Sequence, residues 1–413
     1  MKTMRLFLLD YAILWFLNWL LTKAVFTSLV FASISCTSLF AFRVYETEHL
    51  ESINEQIVRT FIALIFSNAV KYIFYPVFKK SLTFDYIYIH IFLGTISVVL
   101  ANWLFNSVFK TRIKPKKYIV IGREKEIGHI LDEITRKTRG EYQFVQYINP
   151  SPTTLKEKIK TYDHVLVANY ELYKHVDYLL ENSTAKIEYL SELAERVLRR
   201  IPLEVIENFK EYYELEFQKA KESPMKRIID ILGGIVGLII SLPIMLFFGI
   251  WILIEDGWPV FFKHLRVGKN GRYFQFVKLR SLKQEGFDPS NPNGTIQTRM
   301  LKIGKIIRPL RIDELPQFWL VLKGEMSLVG PRPEMVEYHR VYSNRIPYYQ
   351  YRLRLKPGIT GWAQINYQHT TTLEEYKKKT EYDLYYIKNR STIMDLRIIL
   401  QTIEAIFWRR GAR

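Results

Sequence analysis

The sequence predicts a membrane protein in which an α-helical anchor precedes α/β structure on the cytoplasmic side. Three observations predict this fold class. Four apolar stretches fill the first quarter of the 413 residues, strand-like and helix-like segments alternate after residue 112, and a further long apolar run carries a proline near its centre. A chain of this length exceeds one ordinary domain, so we expect several.

The charge balance points to an anionic neighbour. Lys and Arg number 59 against 41 Asp and Glu, a formal net charge of +18. Such an excess favours nucleic acid, nucleotide phosphates or an anionic membrane face. Aromatic residues make up 15% of the chain and many lie beside apolar runs, so we favour membrane lipid and expect no nucleic-acid partner. The single cysteine, Cys36, excludes an internal disulfide and a cysteine-based metal cluster.

Residues 1–109 are predicted to form a four-helix transmembrane anchor. Each apolar stretch approaches the roughly 20 residues that a helix needs to cross the hydrocarbon core. No small-residue cleavage site follows the basic N-terminus, so we expect a retained anchor. Five of the eight residues at 110–117 are basic, which predicts the cytoplasmic side there and, after an even number of crossings, a cytoplasmic N-terminus. The stretches lie at about 4–22, 24–42, 57–78 and 84–108.

Residues 112–190 predict a small α/β module with a parallel sheet. A buried strand, a turn and an amphipathic helix come first, and the strand-like segments YQFVQYIN and HVLVANY follow. The turn GREKEIG lacks the G-x-G-x-x-G spacing of a dinucleotide loop, and Glu124 and Glu126 would repel a pyrophosphate. We therefore predict a degenerate Rossmann-like module used for packing, regulation or oligomer contacts. The charged, helical pattern of 191–223 predicts a connector.

Residues 224–413 are predicted to form the last domain, which opens with a membrane helix that re-enters rather than crosses. The apolar run at 228–254 is long enough to span a bilayer. Pro243 removes a backbone donor at its centre and predicts a break, and Ser241 is suited to satisfy a freed carbonyl. Both flanks are basic and are expected on the same side. A helix that bends at Pro243 satisfies both flanks, and a kinked span is the alternative.

Asp313 and Glu314 stand together at a predicted helix N-terminus. Asp313 suits the N-cap, Pro316 is tolerated in the first turn, and Gly324 predicts the C-terminal stop. The partial positive charge at this end is expected to keep both carboxylates ionised. Considered alone, the two acids are explained equally well by a structural role, as a helix cap and a partner of the helix dipole, and by a catalytic role.

Basic residues around the acid pair favour the catalytic role over the structural one. Adjacent carboxylates can hold Mg²⁺, a hard cation that takes oxygen ligands. Cations and a metal around an ionised aspartate are what a phosphoryl-transfer site needs. Asp313 is then the candidate nucleophile, and Glu314 a metal ligand or base. The neighbouring cations are Lys278, Arg280, Arg308, Arg311 and Arg332.

Five sequence blocks follow one another in the last domain. They are KRIIDILGG before the proline-broken run, PVFFKHLRVGKNGRYFQFVKLRSL, RIDELPQFWLVLKGEMSLVGPRPE, KPGITGWAQIN and EYDLYYIKNRSTIMDLRIILQTI. In this order they resemble the bacterial sugar transferase family, the polyprenyl-phosphate hexose-1-phosphate transferases, over about residues 224–413. The four apolar stretches and the Rossmann-like module are similar to the long-form subgroup. The resemblance implies a monotopic catalytic domain behind the anchor.

The resemblance also implies an activity and a location. Members transfer a sugar-1-phosphate from a UDP-sugar to undecaprenyl phosphate and release UMP, the first membrane step of exopolysaccharide, capsule or O-antigen synthesis. The expected cofactor is Mg²⁺. The expected location is the bacterial inner membrane, with the catalytic domain facing the cytoplasm. The anchor and the α/β module are natural surfaces for a homodimer.

The family's acid pair falls on Asp313 and Glu314, so the resemblance implies that Asp313 attacks the sugar-linked phosphorus and forms a covalent phosphosugar-enzyme. Its phosphate-binding cations match Lys278, Arg308 and Arg332. Weaker matches to substrate-binding or supporting positions are Gln364 and Asp383. Many relatives carry Gly-Arg after the asparagine of GWAQIN, where this chain has Tyr367-Gln368; this difference bears on donor contacts and sugar specificity.

Two other functions stay open at this point. A membrane-bound nucleotide-sugar phosphohydrolase would use water as the acceptor and would work without polyprenyl phosphate. A non-enzymatic, membrane-tethered scaffold that senses nucleotide through the α/β module would keep its function when Asp313 is replaced by alanine.

Overall fold

The structure is a computed structural model that describes residues 2–45, 52–74, 83–109, 115–148, 163–175, 177–178, 185–283, 299–367 and 372–407. The segment TTLKEKIKTY at 153–162, whose pattern predicts a helix, lies outside the described residues. The same holds for most of the basic run at 110–117, for Gln368 and for the basic residues after 407. The chain divides into two compact units, Met1–Lys114 and Pro115–Arg413, and each is described by itself.

The first unit is a bundle of four helices. Successive helices contact one another, and the first also contacts the fourth. The helices are α1 (Lys2–Thr22), α2 (Val25–Ala41), α3 (Ile53–Phe74) and α4 (Phe84–Phe109). Two of them contain spans long and apolar enough to cross a membrane, Met4–Thr22 and Phe84–Val108. The four-crossing anchor therefore stays a prediction.

Buried polar side chains link the helices of this bundle. Asn102 on α4 donates to Asp10 on α1 at 3.3 Å, and Ser35 and Ser67 join α2 to α3 at 2.9 Å. Lys71 lies 3.2 Å from the His90 ring. Polar groups in an apolar surrounding are costly unless they bond to one another, so these contacts fix how the four helices face each other.

The second unit begins with a parallel four-stranded sheet in the order β2-β1-β3-β4, which confirms the predicted α/β parallel sheet. Apolar side chains of β1 and β3 are buried against α5, whose Ile127, Ile130 and Ile134 recur at helical spacing. The elements are β1 (Lys116–Ile121), α5 (Glu124–Lys137), β2 (Tyr142–Ile148), β3 (His164–Val167), α6 (Tyr170–Lys174) and β4 (Lys186–Tyr189).

Three short helices follow the sheet: α7 (Leu190–Leu198), α8 (Leu203–Asn208) and α9 (Lys210–Gln218). They belong to one hydrophobic core that contains both the sheet and residues from the end of the chain, such as Trp362 and Tyr386. Arg200, after α7, forms ion pairs with Glu133 of the module at 2.5 Å and with Glu381. The segment predicted as a connector is thus packed between the module and the C-terminal part.

The long apolar helix α10 (Pro224–Asp256) opens the C-terminal part. Ser223 caps its first turn through the Lys226 amide at 3.3 Å, and the helix continues through Pro243. Ser241 donates to the Leu238 carbonyl at 3.2 Å. Among the described residues this is the third helix long and apolar enough to cross a membrane. The expected break at Pro243 is wrong, because the helix is continuous there and the Ser241 hydroxyl bonds to the Leu238 carbonyl. Re-entry of this segment into the membrane stays a prediction.

The first half of α10 is fastened closely to the rest of the unit. A Cβ added at Gly233 or Gly234 would lie 2.5 or 2.8 Å from a neighbouring leucine side chain, so a larger residue there would require that leucine to move. Lys226 pairs with Asp395 at 3.0 Å and donates to the Val329 carbonyl at 2.8 Å. The apolar side chains facing away from these contacts are exposed, including Leu232, Val236, Ile239, Ile240, Leu246 and Ile254.

The remaining elements form a small mixed layer beside α10. An antiparallel hairpin, β5 (Phe261–Val267) and β6 (Tyr273–Leu279), follows the long helix, and a short parallel pair, β7 (Ser327–Val329) and β8 (Gly358–Thr360), lies further along the chain. The helices are α11 (Gly304–Ile307), α12 (Gln317–Lys323), α13 (Val336–Arg345), α14 (Trp362–Asn366), α15 (Leu373–Asn389) and α16 (Thr392–Phe407).

Candidate active site

The hairpin presents cations on one of its faces. Phe262 lies opposite Lys278 in the antiparallel register, and Arg266 lies opposite Phe274. Side chains two residues apart on a strand share a face, so Phe262, His264 and Arg266 stand on the same side as Lys278. Arg266 packs over the Phe276 ring at 4.5 Å and donates to His264 Nε2 at 2.7 Å.

The acid pair lies in a single 3₁₀ turn, Ile312–Glu314, which contacts β6. The expected N-cap role of Asp313 is wrong, because α12 begins at Gln317 with Pro316 as its N-cap. Proline has a fixed φ and no backbone donor, which suits this first position. The expected stop at Gly324 is confirmed: this residue has φ 87° and ends α12.

Glu314 is held by arginine. Its carboxylate accepts from Arg332 at 2.7 Å and lies 3.5 Å from Arg311. Burial alone would raise the pKa of Glu314, but the Arg332 guanidinium overrides burial and lowers that pKa to about 2. Glu314 is therefore ionised at every physiological pH, and it orients Arg332.

Asp313 has a different environment from its neighbour. It is only 7% exposed, and among the described residues no side chain donates a hydrogen bond to its carboxylate. Burial, followed by the charge of Glu314, raises the pKa of Asp313 to about 6, although Lys278 and Arg308 oppose the shift. Burial thus outweighs the stabilisation expected from a helix N-terminus, although a carboxyl with this pKa is still mostly ionised at pH 7, as expected.

Two cations near Asp313, Lys278 and Arg308, have no carboxylate partner among the described residues. The Arg308 guanidinium lies 3.8 Å from the sulfur of Met300. Burial, together with the charges of Arg308 and Arg266, lowers the pKa of Lys278. Uncompensated cations that repel one another in a half-buried place favour the binding of an anion.

A buried ionic cluster supports the arginine-bearing corner at Pro331–Pro333. Arg352 donates to the Arg332 carbonyl at 2.9 Å and pairs with Asp383 at 2.8 Å. Glu334 lies 3.6 Å from Arg352 and is also paired with Lys379. The sequence predictions missed Arg352, Glu334 and Lys379, which lie far apart along the chain. Arg266 was missed too, although its two-residue spacing from His264 in a strand was a usable signal.

The structure separates some predicted site residues from this cluster. Arg280 is buried and binds Asp256 at 2.8 Å and the Asp256 carbonyl at 2.9 Å, so it joins the hairpin to the end of α10. Asp383 lies behind the corner as the partner of Arg352. Gln364 donates to the Ile359 carbonyl at 3.2 Å. Ser241 and Pro243 lie in the middle of α10.

The acid turn packs against the second half of the long apolar helix. Ile312, next to Asp313, packs against a core cluster that includes Ile252 of α10, Val260 and Leu279 of the hairpin base, and Ile307. Glu255, near the end of α10, accepts from the Lys302 amide at 2.5 Å and the Ile303 amide at 3.1 Å, which fixes the start of α11. The candidate site is therefore built on the end of an apolar helix.

A metal ion would find few protein ligands here. No group of three or more His, Cys, Asp and Glu side chains suited to a metal occurs in the described part of the chain. Both Glu314 oxygens face arginine, which leaves the carboxylate of Asp313 as the available oxygen donor. Mg²⁺ often binds through one or two carboxylates plus substrate phosphates and water, so the residues fit an ion that arrives with a phosphorylated ligand.

Apolar helices of spanning length indicate a membrane-associated protein, and the acid pair with its neighbouring cations is its candidate active site. Residues 221–409 match the family model described as bacterial sugar transferase. The chain belongs to the bacterial sugar transferase family.

Several curated proteins are similar over this segment. The chain is 41% identical to a UDP-N-acetylgalactosamine-undecaprenyl-phosphate N-acetylgalactosaminephosphotransferase of Aeromonas hydrophila over 46% of this chain and 45% of the relative. It is 39% identical to the uncharacterized sugar transferase EpsL of Bacillus subtilis (strain 168), over 45% of this chain and 89% of the relative.

A UDP-glucose:undecaprenyl-phosphate glucose-1-phosphate transferase of Klebsiella pneumoniae is 40% identical over 45% of this chain and 41% of its own length. The chain thus spans less than half of the Aeromonas and Klebsiella relatives, and the similarity lies in the part that holds the acid pair.

Proposed function

We propose that this protein transfers a sugar-1-phosphate from a UDP-sugar to undecaprenyl phosphate, at the start of the synthesis of a surface polysaccharide. The names of the Aeromonas and Klebsiella relatives support this class of donor and acceptor. The observation that carries the proposal is local: among the described residues the buried Asp313 carboxylate accepts no side-chain hydrogen bond, and Lys278 and Arg308 beside it have no carboxylate partner. A phosphorylated substrate supplies the negative charge that this arrangement lacks.

In the proposed first step, a carboxylate oxygen of Asp313 attacks the phosphorus that carries the sugar. A P–O bond forms, the bond to the departing UMP phosphate breaks, and UMP leaves with the electron pair. In the second step an oxygen of the lipid phosphate attacks the same phosphorus and displaces Asp313. Such a two-step transfer predicts ping-pong kinetics.

The other residues have distinct roles in this scheme. Lys278 and Arg308 neutralise the phosphate oxygens, and Arg332, oriented by Glu314, binds a phosphate through its remaining donors. A bound Mg²⁺ would neutralise charge on the diphosphate, held by Asp313 and by substrate oxygens, with Glu314 as a further candidate ligand. Asp383, Arg280 and Gln364 act through other protein groups rather than on the substrate.

The location follows from the apolar helices and the direction of the proposed chemistry. We propose that the protein resides in the bacterial inner membrane with its C-terminal part on the cytoplasmic face, where UDP-sugars are made. In this arrangement α10 enters the membrane beside the site and returns. The first unit supplies four crossings, and the chain is suited to form a homodimer.

The test is incubation of the purified full chain with Mg²⁺ and radiolabelled UDP-sugars, with and without undecaprenyl phosphate. We expect label in the lipid fraction only when the lipid is present. Label that appears solely in water-soluble sugar phosphate would identify a phosphohydrolase. If neither product forms, the result would support a non-enzymatic scaffold.

A further inference from the structure

The base of the hairpin combines an exposed aromatic side chain with an unpaired cation. Phe262 is 47% exposed, and the Lys278 ammonium lies 5.6 Å from the centre of its ring. The two residues face each other across the strands. An apolar surface and a positive charge therefore meet at one point on the face that carries the site.

Lys278 connects this point to the acid pair. Within the described chain its ammonium donates to no acceptor, and its strand, β6, contacts the turn that carries Asp313. An anion bound to Lys278 would lie between the Phe262 ring and the Asp313 carboxylate. This is the position that a second phosphate must occupy to attack a phosphosugar on Asp313.

The apolar surface of α10 continues onto the hairpin base. Val260 and Leu279 pack on Ile252 of the helix, and the neighbouring Trp258 is 74% exposed. Exposed apolar residues thus run from the end of a helix of membrane-spanning length to Phe262. A hydrocarbon chain that reached the site from a bilayer would follow this surface without crossing water.

We propose that Phe262 and Lys278 form the acceptor subsite, in which the ring contacts the first isoprenoid units of a polyprenyl phosphate while the ammonium pairs with its phosphate. The inference rests on the proposed function and deepens it. A UDP-sugar has no hydrocarbon chain to match the exposed ring, so the donor is assigned to the Arg332 side of the acid pair.

The test separates the two half-reactions of the full-length protein in nanodiscs. Exchange of labelled UMP into UDP-sugar, measured without lipid acceptor, reports the donor step. Transfer at varied concentrations of undecaprenyl phosphate reports the acceptor step. We expect Phe262→Ala to raise the KM for undecaprenyl phosphate by about tenfold, the loss expected for one buried aromatic contact. Exchange and the KM for UDP-sugar should stay at wild-type values.

Phe261→Ala is the matched control. It removes the same side chain from the neighbouring position on the opposite face of β5, and it should leave the acceptor KM unchanged. Phe262→Leu should retain most of the acceptor affinity, because an apolar contact remains.

Each of the following outcomes would overturn the proposed acceptor subsite. Equal losses in both alanine variants would indicate a general membrane contact, and a raised KM for UDP-sugar in Phe262→Ala would assign the ring to the donor. An unchanged acceptor KM would remove Phe262 from the site. If the wild-type protein transfers no label to lipid, the proposed function itself fails and the subsite fails with it.

Discussion

The two sides of the acid pair are built in opposite ways. On the Glu314 side, every charge has a partner: Arg332 binds Glu314, and Arg352, Asp383 and the Glu334–Lys379 pair form a compensated cluster behind it. On the Asp313 side, Lys278 and Arg308 have no carboxylate partner among the described residues.

This difference distinguishes charged residues that hold the backbone in place from charged residues that are suited to bind a ligand. Buried charges that are paired and hydrogen-bonded hold a backbone in place, and breaking one pair leaves the other charge stranded. Buried charges that repel one another make the folded state less stable and are tolerated where a ligand will neutralise them. We therefore assign positioning to the compensated cluster behind Arg332, and phosphate chemistry to Asp313 and the cations that face the substrate.

The largest expected effect is on the chemical step. Asp313→Asn removes the nucleophilic oxygen while keeping the size of the side chain, and we expect sugar-phosphate transfer to fall on the order of 10⁴-fold or more. The thermal unfolding midpoint should not fall, because a buried carboxylate with a raised pKa contributes no stabilising ion pair. Transfer of radiolabel and thermal unfolding in detergent measure the two effects. Wild-type transfer by this variant would remove Asp313 from the mechanism.

The next effect is on stability, on the other side of the pair. Arg352→Met leaves the Asp383 carboxylate buried without its partner and is expected to lower the free energy of unfolding by about 3–5 kcal/mol. The double variant Arg352→Met/Asp383→Leu should lose less than the sum of the two single losses, since neither charge remains. Additive losses in denaturant unfolding would show that the two residues do not act as a pair.

Replacing a single cation on each side contrasts the two directly. Lys278→Met is expected to weaken substrate use by about 10–100-fold, the loss of one charge-assisted contact, without lowering the unfolding midpoint. Arg332→Met should lower both the activity and the thermal unfolding midpoint, because it also leaves the buried Glu314 carboxylate without its partner. Steady-state kinetics and thermal unfolding on the same preparations make the comparison. Equal losses of stability in both variants would contradict it.

The smallest expected effect is a shift in pH dependence. Because the pKa of Asp313 is raised to about 6, the ionised nucleophile is lost as the pH falls below that value, and UMP exchange should decline about tenfold per pH unit there. Lys278 stabilises the ionised form, so Lys278→Met should move this decline to higher pH. A decline at the same pH in both proteins would show that another group controls it.

The sequence was sufficient for the parts of the site that depend on residue type and local order. Lys278, Arg308 and Arg332 were predicted to bind phosphate near Asp313, and the structure brings them together. The parallel sheet was also predicted, because its strands and helix have clear apolar patterns. The start of α12 was predicted a few residues too early. The sequence allows either Asp313 or Pro316 to be the N-cap, and the structure has Pro316.

Other features depend on burial and on long-range contacts, which one sequence does not reveal. Arg352 meets Asp383 across 31 residues and Lys379 meets Glu334 across 45, and no local pattern marks either pair. The raised pKa of Asp313 follows from burial by segments distant in sequence. Arg280 is a cation two residues after Lys278, just beyond the end of β6. Only its position beside the end of α10 makes Asp256 its partner.

The central claim is that Asp313 is kept free of protein partners so that it can bind phosphorus covalently. It is tested most directly by mixing the full-length protein with a UDP-sugar in the absence of lipid acceptor, removing UMP enzymatically, and mapping the modified peptide by mass spectrometry. We predict the mass of one sugar phosphate on Asp313, which disappears when undecaprenyl phosphate is added. Turnover without any such adduct, or an adduct on another residue, would contradict the account.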